Sequence, residues 1–343
     1  MSSAAFTMLR KLYPQARITL LTSPACSEIL FDPKILDAVI SDTFPQGFLA
    51  RQFYKIKILF HCLKARYDAC FFIDHPKRRS IGFYKSAGIP IIVAPGCALS
   101  GEAMSSMRRL ATHAIPMQAA IEIHNTDYYQ DIVCGFNWRG ERQSPYLVTA
   151  NIFPSTEIER EGGTKVAFCF RGRPSNPHRW PMEYFKILTD RLLERGCYLY
   201  SAVPAEDYPE QKKLLDAHSI KAKLFATPNL TGCLELLSAA DLLISVNTGQ
   251  THLAAALGVP VVSLTGPDAS STYPYGANGL ALSTVRNCYH CRFQKECPKK
   301  RGKMPPSHTP RCILDLTPEK VLPYVEAILN GQNRHSGMVL VGE

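Results

Sequence analysis

LLISVNTGQTHLAAALGVPVVSLTGP, residues 242–267, places an alanine-rich segment between two short apolar runs. Leu242–Val246 has the length and composition of a strand buried on both faces. Asn247 and Thr248 are helix-capping types, and Gly249 lets the backbone turn closely. Thr251–Leu257 favours helix, and Gly258 stops it at C′. Val259–Leu264 reads as a second buried strand, with Thr265-Gly266-Pro267 as a loop at its carboxyl end. Strand, tight turn, helix, strand is the building unit of a parallel doubly wound sheet.

The chemistry of this stretch lies in the first turn of its helix. Unpaired N–H groups and a partial positive charge there suit a phosphate. The hydroxyls of Thr248 and Thr251 add donors, and His252 adds a further donor or a cation. In open α/β sheets, ligands sit at such carboxyl ends. A plainer reading stands beside this one: Thr248-Gly249 caps a helix, and His252 is a satisfied interface histidine.

Residues 247–260 with Thr265-Gly266-Pro267 behind them resemble glycosyltransferase family 9, the heptosyltransferases of bacterial lipopolysaccharide. The family pattern is Asp-Thr-Gly-x-x-His-Leu-Ala-Ala-Ala-Leu-Gly-x-Pro, and this chain departs from it at Asn247. An amide still bonds a sugar hydroxyl or caps the helix, but it carries no charge. The resemblance implies the GT-B architecture, two facing doubly wound, Rossmann-like parallel-sheet domains with a cleft between them. It implies inverting transfer of heptose from ADP-heptose to a lipopolysaccharide core or related anionic glycolipid. A base deprotonates the acceptor hydroxyl while helix amides and cations stabilise the leaving diphosphate. No Asp-x-Asp motif is present, so the leaving group is expected to need no Mg2+ and the transfer no cofactor.

The resemblance also assigns residues. The segment before Trp180-Pro181 carries Arg173, His178 and Arg179, and the family's usual Lys is His178 here, which shifts the expected phosphate contacts to Arg173 and Arg179. Glu206 falls where the family has an acidic residue that holds the nucleotide ribose; the alternative is a Glu at a helix start. Asn247, Thr248, Gly249, Thr251 and His252 complete the expected donor site. In the family a strand and a Gly-Asp loop precede the counterpart of Ser3–Leu12, and the loop's carboxylate is taken as the base. That places the usual base upstream of Met1, with Asp74 as a weak substitute at the end of a strand. A missing central strand would leave open sheet edges, so the chain is expected to lack its true N-terminus.

At 343 residues the chain fits two domains of middling size. Residues 1–150 read as the acceptor-binding domain and 151–163 as a linker. Residues 164–330 read as the nucleotide-sugar domain, with a four-cysteine insertion at 288–312, and 331–343 as a frayed tail. Within the first, strands over Arg17–Leu21, Ile35–Ile40, Ala69–Ile73 and Ile89–Val93 alternate with helices over Ser2–Leu12, Phe48–Leu63, Arg78–Ala87 and Glu122–Cys134. Ala94–Ile121 reads as an irregular loop region. The second opens with a strand over Lys165–Phe170 and the helix Met182–Arg195. It closes on the helix Pro318–Leu329.

With 39 Lys and Arg against 29 Asp and Glu, the formal charge of +10 suits nucleic acid, a phosphorylated substrate or a membrane surface. Lys77, Arg78 and Arg79, with Arg51, Lys55 and Lys57, form a basic surface for the acceptor, or ordinary solvated helix faces. No apolar run reaches the roughly 20 residues of a membrane span. The N-terminus lacks the features of a signal peptide. A cytoplasmic location follows, peripheral at the inner face of the cytoplasmic membrane. Most of the cysteines sit singly in apolar runs, as reduced thiols do.

Cys288-x2-Cys291-x5-Cys297-x14-Cys312 offers four thiolates, the tetrahedral set of a structural zinc or iron. A cysteine-rich loop without metal is the alternative. No ligand position is left open for catalysis. A catalytically impaired nucleotide-sugar-binding homologue is a second functional reading. A basic knuckle binding nucleic acid is a third, opposed by the few aromatics nearby (Tyr289, Phe293), so no nucleic acid is expected.

Overall fold

A computed structural model describes the chain except residues 1, 44, 46, 74–77, 97–108, 117–122, 150–151, 171–178, 267–268, 277, 285–310, 333–335 and 343; of Arg78, Gly96, Ala269, Ser270 and Arg311 it describes the backbone alone. The chain divides into two compact units, Met1–Val148 and Thr149–Glu343.

Among the described residues the strands of the first unit form two parallel sheets. β1 (Thr19–Thr22) pairs with β2 (Ala38–Ser41). β3 (Ala69–Phe71), β4 (Ile91–Gly96) and β5 (His113–Pro116) form the other, with β4 in the middle. Alternation along β4 fills a layer on each face. Ile92 and Ala94 pack with Ile58, Cys62 and Ile81, and Val93 packs with Ile115, Tyr128 and Ile132. The helix Ser3–Leu12 buries Ala5, Met8 and Leu9 against Val133 of the helix Asn125–Phe136.

Arg10 leaves that first helix to bind the carbonyls of Ile35 at 3.0 Å and Ala16 at 2.7 Å, and it pairs with Asp37. Asp37 also accepts the Ile18 amide at 2.7 Å. That amide and the guanidinium hold its carboxyl below the ordinary carboxylate range. Residues 141–148 return to this unit: the Tyr146 amide donates to Ser3 Oγ and the Gln143 amide to Gln130 Oε1.

Among the described residues the strands of the second unit form one seven-stranded parallel sheet. Its strands are β6 (Lys165–Cys169), β7 (Tyr198–Pro204), β8 (Lys223–Thr227), β9 (Leu242–Val246), β10 (Val261–Leu264), β11 (Gly279–Thr284) and β12 (Gly337–Val341). They lie in the order β12-β11-β10-β9-β6-β7-β8. All five residues of β9 are fully buried. Leu242, Ile244 and Val246 face a core shared with Phe185, Leu188, Val321 and Val325, while Leu243 faces Leu237, Ala254 and Val261. Helices therefore cover both faces, as the continuous apolar runs of the strands require.

Three expectations are corrected. Residues 331–343 are more than a frayed tail, because Met338–Val341 extend β12 parallel to β11 and Val341 reaches the core. The described residues 152–163 of the expected linker belong to the second unit. There the short helix Thr156–Glu159 buries Ile158 completely, and the Ser155 amide donates to the Glu235 carbonyl at 3.0 Å. The irregular stretch 94–121 contains β5, which completes a sheet.

Gly279 opens β11 where a Cβ would lie 2.2 Å from the Pro274 carbonyl oxygen, a backbone atom with little room to retreat. Gly279→Ala is expected to lower the stability of the second unit by about 1–3 kcal/mol, read as a shifted urea midpoint by far-UV circular dichroism. An unchanged midpoint would contradict this packing.

Candidate functional site

The strand order of the second sheet reverses direction between β6 and β9. From β6 the chain builds outward through β7 and β8, and from β9 through β10 to β12. Such a switch point leaves a crevice outside the carboxyl ends of the two central strands. Two side chains mark its floor: Cys169 Sγ at the end of β6 stands 3.6 Å from Thr248 Oγ1, just beyond β9.

Thr248 caps the helix Gly249–Ala256, and its amide donates to Thr251 Oγ1 at 3.3 Å. Thr251 is fully buried, and its hydroxyl reaches the Val246 carbonyl and Ser245 Oγ, each at 3.1 Å. Ser245 Oγ in turn lies 3.3 Å from Thr248 Oγ1. This corrects the expectation for Thr251, whose hydroxyl is committed to the turn and does not face a ligand. Asn247 Nδ2 donates to Thr272 Oγ1 at 2.7 Å, tying the turn to the segment after β10. Gly249 is exposed, and nothing lies within 4 Å of where its Cβ would be. The first turn is thus fixed from below, with the Thr251 amide capped by the Thr248 side chain, and the space beside Gly249 is open. His252 follows one residue after Thr251 and is half-buried.

Neighbouring loops end at the same edge. Glu206 is exposed two residues beyond β7, just before the helix Tyr208–Ala217. Gln250 Nε2 donates to the Ala202 carbonyl in β7 at 2.8 Å, locking the Gly249 helix to that strand. Arg179 is half-buried beside Trp180, whose ring packs 4.8 Å from Phe185 and whose Nε1 donates to the Leu316 carbonyl at 2.6 Å. Trp180 before the helix and Phe185 in its second turn form a hydrophobic staple. Thr265 is buried with Oγ1 on the Leu282 carbonyl at 2.9 Å, so the Thr-Gly-Pro loop also has a fixed base. Ser245, Gln250, Cys169 and Thr272 escaped sequence reasoning. For Ser245 the signal was a single hydroxyl inside an otherwise apolar strand.

Arg173, Asp74, Lys77, Cys288, Cys291 and Cys297 lie outside the described residues. Arg78 and Arg79 begin the helix Arg78–Ser86, on the chain that leaves the carboxyl end of β3, and Arg79 is exposed. Cys312 packs against the large core of the second unit, and its carbonyl accepts from Thr284 Oγ1 at 2.9 Å. Among the described residues no group of His, Cys, Asp and Glu is arranged to hold a metal, and no helix is long and apolar enough to cross a membrane.

The profile of glycosyltransferase family 9 (heptosyltransferase) matches residues 113–302, more than half of the chain. The chain is 31% identical to lipopolysaccharide heptosyltransferase 1 of Pseudomonas aeruginosa over 44% of each protein's length. It is 24% identical to lipopolysaccharide heptosyltransferase 2 of Escherichia coli across 96% of this chain and 94% of that one. The structure of the E. coli ADP-heptose lipopolysaccharide heptosyltransferase II superposes with a TM-score of 0.70 at 18% identity, covering 96% of this chain and 95% of that one. With this match, the strand order and the residues 247–260 together, the chain belongs to glycosyltransferase family 9 and has the GT-B fold.

Proposed function

We propose that this protein transfers heptose from ADP-heptose to the core of a lipopolysaccharide acceptor, with inversion at the anomeric carbon, at the inner face of the cytoplasmic membrane. The observation that carries the reading is the open first turn of the helix Gly249–Ala256, held rigidly at the switch point by Thr251. Its amides and the Thr248 hydroxyl receive the diphosphate. His252, Arg173 and Arg179 add positive charge or donors, Asn247 steadies the turn, and Glu206 accepts from the ribose hydroxyls. Lys77, Arg78 and Arg79 attract the anionic acceptor. The acceptor oxygen bonds to the anomeric carbon as the bond to ADP breaks. A base takes the acceptor proton, and ADP departs with the electron pair. The base is left unassigned, with Asp74 a weak candidate for it. The heptosyltransferase relatives support the sugar and the acceptor class.

A second reading, a homologue that binds the nucleotide without transferring sugar, draws on Asn247. This position is neutral, and its amide is engaged by Thr272. Calorimetric titration followed by an ADP-release assay with ADP-heptose and lipopolysaccharide acceptor separates the two. ADP is expected to bind at least about tenfold more tightly than UDP or GDP, a difference of about 1.4 kcal/mol. His252→Ala is expected to weaken ADP binding. Gly249→Ala should weaken it too while leaving the melting temperature unchanged or higher, since its methyl group enters open space over the anion's approach. Preference for UDP or GDP would overturn the donor assignment, and ADP binding without turnover would favour the second reading.

The four cysteines are proposed to hold a structural zinc or iron, with no part in the transfer. About one metal ion per chain is expected by elemental analysis, and Cys291→Ser should lose both the metal and thermal stability. A metal-free wild-type chain would sink this assignment.

A further inference from the structure

The helix Phe48–Ala65 packs on the first unit through one narrow face. Ile58 and Cys62 are buried there, with Tyr54 and Leu59 partly buried beside them. Its opposite face is also apolar. Leu49, Phe53, Ile56, Phe60 and Leu63 are 71%, 72%, 48%, 67% and 51% exposed. Their alternating four- and three-residue spacing lines them up as one stripe of the helix. Single exposed apolar residues are ordinary, but a continuous stripe marks an interaction surface. It runs about 21 Å at the helical rise of 1.5 Å per residue, and Phe48, 74% exposed, stands at its start.

The charge around the stripe selects its partner. Residues 48–66 contain Arg51, Lys55, Lys57, Lys64 and Arg66 and no Asp or Glu. Lys55 and Lys64 are exposed, and Lys57 reaches Asp42 at 2.7 Å with its side chain still largely in solvent. Arg66 caps the helix in the left-handed region at φ 51°. An apolar stripe on a helix whose own charged residues are all cations is the signature of a helix that lies in a membrane interface. Its aromatic and aliphatic side chains enter the acyl boundary while Lys and Arg reach anionic headgroups. A second copy of the same helix would bring like charges together.

We propose that the helix Phe48–Ala65 is the element by which this protein docks on an anionic lipid bilayer, lying flat with its Leu49–Leu63 stripe in the headgroup region. The proposal rests on the membrane-surface reading above, and its test needs neither donor nor acceptor. The full chain is floated with vesicles of phosphatidylcholine alone and with vesicles in which about a third of the lipid is phosphatidylglycerol. Binding to the anionic vesicles is expected, weakening as salt rises. Phe53→Ser/Phe60→Ser should reduce it about tenfold or more. Lys55→Gln/Lys64→Gln should erase much of the preference for anionic lipid. Both phenylalanines are exposed, so the first variant should keep its melting temperature and its ADP affinity. Retained flotation of that variant, or no flotation of the wild-type chain, would overturn the proposal. So would a dimer in light scattering that Phe53→Ser/Phe60→Ser dissolves, because the stripe would then be a contact between copies. Loss of ADP binding in a wild-type chain that still floats would count against the transferase reading alone.

Discussion

The buried hydroxyl of Thr251 is the constraint on which the carboxyl edge of the second sheet depends. It meets the last carbonyl of β9, the hydroxyl of Ser245 and the amide of Thr248 within 3.3 Å. None of these polar groups can turn to bulk water without dismantling the turn. Leaving one of them unpaired costs about 1–3 kcal/mol. The bonds fix where β9 stops and where the helix Gly249–Ala256 begins, and hence where its amides point. Asn247 and Gln250 extend the bracing sideways, to Thr272 beyond β10 and to Ala202 in β7. A site that must stabilise charge gains from dipoles held in place before the charge develops.

The two units solve their burial problem differently. In the second, seven strands covered on both faces place Val246, Val262, Leu264 and Leu282 in one continuous core. In the first, two smaller sheets are joined by their helices. The helix Ser3–Leu12 reaches Phe71 and Ile73 at one sheet and Ile18 beside the other. Arg10 and Asp37 add a polar clasp next to β1 and β2. The strands β1 and β3 keep half-exposed side chains, whereas β4, covered on both sides, buries Ile92, Val93 and Ala94 completely.

Much of this was legible in the sequence because the second unit is locally consistent. β9 and the helix Pro318–Leu329 have the bounds their apolar patterns predict. Capping types and glycines located the turn. What escaped was non-local or compositionally quiet. β11, Gly-Leu-Ala-Leu-Ser-Thr, alternates leucine with small residues and gains its burial from neighbours on both sides. β12 follows a polar stretch that reads as an ending, yet its Val and Leu complete the sheet edge. Residue type gives the chemistry of the Thr251 hydroxyl and not its direction, which is into the turn. Cys169 and Thr248 are far apart in the chain, and only parallel pairing of β6 with β9 brings them together.

The helix Phe48–Ala65 carries that lesson to the surface. Its sequence holds two apolar stripes, and periodicity alone cannot say which one turns inward. The structure buries the smaller, Ile58 and Cys62, and leaves the larger in solvent. The same contrast discriminates among partners for a basic chain. Single-stranded nucleic acid is held by cations interleaved with aromatic platforms on which bases stack. Three of the five stripe residues, Leu49, Ile56 and Leu63, are aliphatic and offer no such face. Aliphatic and aromatic side chains together match the acyl boundary of a bilayer, and the neighbouring lysines match its headgroups. The net charge admitted both partners; the arrangement of side chains along one helix favours the lipid.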